Sequence, residues 1–325
     1  MQTRTVRPFR FAVQATRATS AAEWRDLARR VEGLGYSTLF TADHYLGPGP
    51  ASRAAGQPPQ HLAPIAAMAT AAAVTERLRV GCRVFCVDYH VPAVLAKEAA
   101  TLDLLSDGRL EFGVGGGWSA PEYRAMGLEF APAPQRITKL AEVVALVKAH
   151  GAGHELAEKG EFVQVSGYSG LPLPAQRPHP PIMIGGGRRR VLSLAAREAD
   201  IVSISNVPFQ PVNADGLTPR EEARRRLGYV QEAAGDRLGT LDIESSPYFT
   251  EITGDPRAAV ARIAQRMRVP ADGLLDHPNV LMGDVDGIVE RLEERRETLG
   301  VNYVSVQQAQ VDAFAPIVDR LSGRS

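Results

Sequence analysis

RLEFGVGGGWSAPEYRAMG, residues 109–127, sets five glycines directly behind an apolar strand. Two folds would use them differently. The window Gly115-Gly116-Gly117-Trp118-Ser119-Ala120 fits the G-x-G-x-x-G/A pattern of a doubly wound sheet that cradles a dinucleotide. That pattern belongs at the first strand–helix turn, opens a long helix and is followed by an acidic residue about 20 positions on. Here it follows the fourth predicted strand, and Pro121 allows only a short helical turn after it. No acidic strand end stands at the required distance. The dinucleotide reading therefore fails, and the rest of the chain must supply the fold.

Outward from this loop, β-branched runs alternate with amphipathic stretches. The pattern predicts strands over 9–15, 37–44, 78–87, 110–116, 181–187, 200–205, 240–249 and 301–307. Helices are expected over 20–35, 62–75, 91–108, 134–150, 188–198, 219–234, 255–268, 284–299 and 312–321. Ser20, with Glu23 three residues on, marks the start of the first helix. Eight strand–helix alternations in 325 residues predict a (β/α)8 TIM barrel, with a doubly wound open sheet as the runner-up. One domain over 1–325 is expected, with insertion loops at 45–61 and 151–180. The second insertion reads as a small hairpin and a proline-rich linker, and 268–284 as irregular.

Composition narrows the function classes. Lys+Arg and Asp+Glu both total 37, so no net field favours nucleic acid or an anionic membrane. The runs Arg188–Arg190 and Arg224–Arg226 read as solvated helix faces. The longest apolar stretch, 63–74, is too short to span a bilayer, and the N-terminus lacks the apolar core of a leader. Cys82 and Cys86 are the only cysteines, without zinc-site spacing. A soluble cytoplasmic protein without structural disulfides is expected.

Active sites of such barrels lie at the C-terminal ends of the strands. Gly115, Gly116 and Gly117 stand at one such end. They offer either a floor without side chains for a flat ring, or a tight turn that needs positive φ. IMIGGGRRR, 182–190, places Gly185, Gly186 and Gly187 between a strand and a helix N-terminus: either free N–H groups favour a phosphate there, with Arg188, Arg189 or Arg190 adding charge, or the stretch is a glycine-rich turn with a surface arginine run. The second strand ends TADHY, which puts Asp43 and His44 at the rim before a long loop. Histidine suits proton transfer near neutral pH, whereas a turn-capping role suits Asp43 equally. The other histidines read as surface or structural residues. Metal-dependent hydrolysis finds no His-x-His on the first strand, and nucleophilic hydrolysis no G-x-S-x-G.

Taken together, STLFTADH, LRVGCRVF, PAVLAKEAATLDLLSDGRLEFGVGGGWSAPEYRAMG, PIMIGGGRRRVLSLAAREADIV and GDVDGIVERLEERRETLGVNYVSV occur in an order that resembles the luciferase-like monooxygenase superfamily. The closer likeness is to its coenzyme F420-dependent oxidoreductase branch. The resemblance spans nearly the whole chain and is weakest in 45–61 and 151–180. It implies a deazaflavin or flavin at the barrel mouth, its phosphate on Gly185–Gly187. It also implies a non-prolyl cis peptide at the end of the third strand, Arg83–Val84, with Val84 and Cys86 against the ring. His44 matches the family histidine beside the reactive ring, with Asp43 its neighbour. Trp118 stands where sugar-phosphate dehydrogenases of that branch carry an acid, so Trp118 and Tyr45 are expected to form an apolar wall for substrate. The activity implied is hydride transfer between reduced F420 and a small unsaturated or carbonyl substrate, His44 handling the proton. The alternative is an FMN-dependent monooxygenase using oxygen, supplied by a flavin reductase; a non-catalytic flavin-binding protein is a third. The resemblance further implies a homodimer.

Overall fold

The computed structural model describes residues 7–157 and 159–323. Part of the stretch read for a leader, and both ends of the expected domain 1–325, lie outside the described residues. The strands are β1 (Arg10–Gln14), β2 (Thr38–Thr41), β3 (Arg79–Cys82), β4 (Phe85–Cys86), β5 (Leu110–Gly115), β6 (Ile182–Gly186), β7 (Ile201–Ile204), β8 (Asp242–Ser245), β9 (Phe249–Ile252), β10 (Val280–Gly283) and β11 (Val301–Gln307). Nine of them hydrogen-bond in the order β3-β2-β1-β11-β8-β7-β6-β5-β4, and β3 also pairs with β5. Since β3 and β4 are two pieces of the predicted third strand, eight strand positions return on themselves in (β/α)8 topology. An open doubly wound sheet is thereby set aside.

The helices are α1 (Ala21–Gly33), α2 (Pro50–Ala55), α3 (Pro64–Ala72), α4 (Pro92–Leu105), α5 (Ala120–Ala125), α6 (Ala133–Ala152), α7 (Arg189–Glu198), α8 (Pro219–Ala234), α9 (Pro256–Met267), α10 (Val285–Leu299) and α11 (Val311–Leu321). Among the described residues no helix is long and apolar enough to cross a membrane. The described residues group into two compact units, one within 14–32 and 38–184, the other within 1–13, 33–37 and 185–325.

In the first unit β2, β3, β5 and β6 pair in parallel, Phe40 opposite Gly81, Gly81 opposite Glu111 and Phe112 opposite Ile182. All six residues of β5 are buried, the pattern of a strand covered on both faces. The turn LSDGR delivers the chain into β5. Asp107 and Gly108 take positive φ there, and buried Asp103 receives the amide of Leu110 and both Gln176 donors. Arg109 then caps carbonyls of Ala72 and Leu78. This turn aims the glycine loop. Ser20 Oγ accepts the Glu23 amide as expected, while the Glu23 carboxylate turns back to Thr19. In the 151–180 insertion, antiparallel bridges join Leu156 to Tyr168 and Lys159 to Gln164.

In the second unit β11 pairs with β8 and β8 with β7, all parallel. The predicted seventh strand stops early: Pro247, which lacks an amide donor, separates β8 from β9. β9 leaves the main sheet to pair in parallel with β10, which falls in the segment read as irregular. That two-stranded sheet and α9 share a core of Val260, Ile263, Leu274 and Met282.

Candidate active site

The C-terminal ends of β2, β4 and β5 carry a connected set of polar and aromatic groups, all in the unit 14–32 and 38–184. Asp43 and His44 follow β2 but turn to different partners. Asp43 is 2% exposed and accepts the Cys86 amide at 2.8 Å, the Tyr45 hydroxyl at 2.8 Å and a His90 contact at 2.9 Å. A buried carboxylate must be so satisfied, and these bonds tie the end of β2 to β4. His44 instead sets Nδ1 2.6 Å from Oε2 of Glu122. Glu122 is fully buried, and its Oε1 also accepts the Tyr45 amide at 2.7 Å. Nε2 of His44 makes no hydrogen bond to the described residues, and its ring meets Trp118 edge-on at 6.0 Å.

The glycine loop is held from behind. Arg136 donates to the carbonyls of Ala131 and Gly116, at 2.9 and 2.7 Å, and to that of Gly117. Tyr123 is fully buried and donates to Asp88 at 2.7 Å, which Lys139 pairs at 2.8 Å; Cys86 Sγ lies 3.0 Å from the same hydroxyl. Burial pushes the Cys86 thiol up to about 12, and burial beside Cys86 raises the Tyr123 phenol. Burial thus favours the protonated form of both. Burial, and then Asp43, likewise raise the Tyr45 hydroxyl.

The three glycines serve unequal purposes. A Cβ on Gly115 would stand 2.8 Å from Val84 Cγ2, and one on Gly117, where φ is +71, 2.0 Å from the Tyr123 hydroxyl. The protein's own packing thus demands glycine at both positions, and the turn reading describes Gly117. Gly116 has room, with its nearest neighbour, the Arg136 carbonyl, at 3.5 Å. Arg83–Val84 is a cis peptide, at the bond expected. Val84 packs its methyls toward Gly115, and Cys86 is buried with amide and thiol both engaged. Trp118 and Tyr45 are 58% and 43% exposed.

Gly185, Gly186 and Gly187 belong to the other unit. A Cβ on Gly186 would press on Val191, and one on Gly187 on Arg226 Nη1 and Ser205 O at 2.6 Å each. α7 begins after Arg188, whose side chain makes no capping hydrogen bond, and Arg188 is exposed, with no ion pair among the described residues. Arg189 is paired with Glu232.

Glu122 and His90 escape sequence reading. Ser119-x-x-Glu122 has the form of a capping box, which assigns the acid to its own helix end. The structure breaks that form: Ser119 Oγ is buried without a hydrogen-bond partner among the described residues, and Glu122 reaches the end of β2.

The family model for luciferase-like monooxygenases matches residues 1–272, and the chain belongs to that family. An uncharacterized protein of Mycobacterium tuberculosis is 34% identical over 184 residues, 53% of this chain and 64% of its own, so the chain spans less than two thirds of that relative. An F420-dependent glucose-6-phosphate dehydrogenase of Nakamurella multipartita is 30% identical over 238 residues, 72% of this chain and 66% of its own. FMNH2-dependent monooxygenases are relatives as well. The solved structure of coenzyme F420-dependent tetrahydromethanopterin reductase from Methanopyrus kandleri aligns at TM-score 0.75 and 18% identity, over 97% of this chain and 100% of its own. That likeness is one of fold.

Proposed function

We propose that this member of the luciferase-like family transfers a hydride between reduced coenzyme F420 and a small unsaturated or carbonyl substrate, with His44 giving or taking the accompanying proton. One observation carries the reading: His44 rests Nδ1 on a buried carboxylate and leaves Nε2 unbonded beside exposed Trp118. Such an imidazole is held for proton exchange at one atom. Asp43, committed to Tyr45, Cys86 and His90, keeps the rim in shape.

The residues present fit a flavin-like group. Ser119 Oγ is a buried polar atom without a partner among the described residues, and Gly116 presents backbone that no protein contact requires to be bare. The N-terminus of α7 after Gly185–Gly187, with Arg188, suits a phosphate. When bound, the deazaflavin supplies the hydride. Trp118 and Tyr45 orient and dry the substrate.

In this reading the protein is cytoplasmic and works as a homodimer. Exposed Val94 and Leu105 on α4, lining an apolar groove with Ile65 and Ala69 of α3, support self-association. A flavin reductase partner enters only if FMN replaces F420.

Fluorescence titration with F420 and with FMN tests the cofactor. Micromolar binding of F420 is expected; FMN binding without F420 binding moves the protein to the oxygen-using monooxygenases, and binding of neither overturns the reading. His44→Ala is expected to keep cofactor affinity and slow turnover by roughly 10²-fold or more. Unchanged turnover would remove His44 from the proton step.

A further inference from the structure

We infer that Glu122 is the positioning residue of His44, its carboxylate holding the imidazole in the Nδ1–H form so that every proton exchanged passes through Nε2. The inference rests on the reading of His44 given above, and it goes beyond the Asp43–His44 adjacency in sequence. A carboxylate only accepts hydrogen bonds, so a contact of 2.6 Å obliges Nδ1 to be the donor. In the neutral ring Nε2 then carries the lone pair, and in the imidazolium it carries the exchangeable proton. Both halves of a proton transfer thus occur at the one ring atom without a hydrogen bond to the described residues.

The carboxylate is itself fixed. Glu122 is fully buried, and its Oε1 holds the Tyr45 amide at 2.7 Å. The amide of Glu122 is pinned at 2.9 Å to the Ser119 carbonyl. Consecutive residues 44 and 45 are therefore gripped by the two oxygens of one side chain. A burial of charge this complete is costly unless every lone pair is used, and the imidazole supplies one of the donors that make it tolerable. Tethering the loop would need only the Tyr45 contact. The second oxygen on Nδ1 is what a role in tautomer control adds.

Glu122→Gln separates these roles. Its amide oxygen can keep the Tyr45 N–H, while its NH2 then faces Nδ1, which must become the acceptor; the ring is driven to the Nε2–H form. Ring 15N shifts of His44, assigned by comparison with His44→Ala on the protein alone, are expected to show Nδ1–H in the wild type and Nε2–H in Glu122→Gln. Glu122→Asp keeps a carboxylate and is expected to retain the wild-type form, which preserves the test should Glu122→Gln fold poorly. Carbethoxylation of His44 by diethyl pyrocarbonate, followed by peptide mass, gives a second readout. It needs the lone pair at accessible Nε2, so it is expected to slow by at least about tenfold in Glu122→Gln and little in Glu122→Asp. An Nε2–H form in the wild type, or an unchanged form and unchanged carbethoxylation in Glu122→Gln, overturns the assignment. Neither measurement uses cofactor or substrate. Failure of the F420 reading would leave them standing, and their failure would leave cofactor binding untouched.

Discussion

Gly117→Ala is the substitution whose cost the geometry defines best. The new Cβ would lie 2.0 Å from the Tyr123 hydroxyl, 2.8 Å from Cys86 Sγ and 2.9 Å from Tyr123 Cζ, on a residue with φ +71. An alanine in the left-handed region costs about 1 kcal/mol. Moving Tyr123 aside gives up its bond to charged Asp88, about 2 kcal/mol, and the residual overpacking adds about 1 kcal/mol. The expected loss is about 4 kcal/mol. With an unfolding entropy of about 2.1 cal/mol/K per residue, a chain of 325 residues would drop in Tm by about 6 °C. Scanning calorimetry on Gly116→Ala provides the control, since a Cβ there meets nothing nearer than 3.5 Å and should cost less than about 0.5 kcal/mol. Tyr123→Phe added to Gly117→Ala should relieve the closest clash and make the two changes less than additive. Equal melting of the two alanine variants would refute the packing argument. The same pair tests the ring-floor reading: Gly116→Ala should weaken F420 binding while leaving Tm in place, and unchanged affinity would take Gly116 out of the floor.

Acid sensitivity should come in part from His277. It is buried, stacked on Phe209 at 4.1 Å, and burial lowers its pKa from 6.5 to about 4. The unfolded chain therefore binds a proton across that window that the folded chain refuses, so stability falls as pH drops from 6.5 toward 4, by up to about 3 kcal/mol. Urea melts at several pH values should show a shallower slope in His277→Gln; parallel slopes would exclude the residue. Asp43→Ala, which strands the Cys86 amide and two side-chain donors, should cost about 3 kcal/mol, while Asp43→Asn, retaining one acceptor, should cost about 1 kcal/mol. If both melt like wild type, Asp43 does not hold the rim together.

The barrel was legible because its signal is local. Period-2 and period-3.6 patterns, Pro and Gly punctuation and the eightfold alternation all lie within short windows, and most element boundaries follow them. The pairing of β9 with β10 was not legible, because VLMG is four residues long and reveals a strand only through its partner, Phe249–Ile252. The site was half legible. His44 at a strand end announced itself by position, and the glycine loop by composition. What each glycine is for depended on Val84, Tyr123 and Arg136, which the fold brings against the loop.

The residue order by itself determined the alternation of elements, the strand ends at which the candidate site sits, and the failure of the dinucleotide motif. Tertiary structure alone decided which carboxylate serves His44. Asp43, its neighbour in the chain, turns to His90, and Glu122, 78 residues away, supplies the contact. Neighbouring residues leaving a strand end point apart, whereas packing brings distant ones together, and a buried carboxylate takes whatever donors that packing delivers.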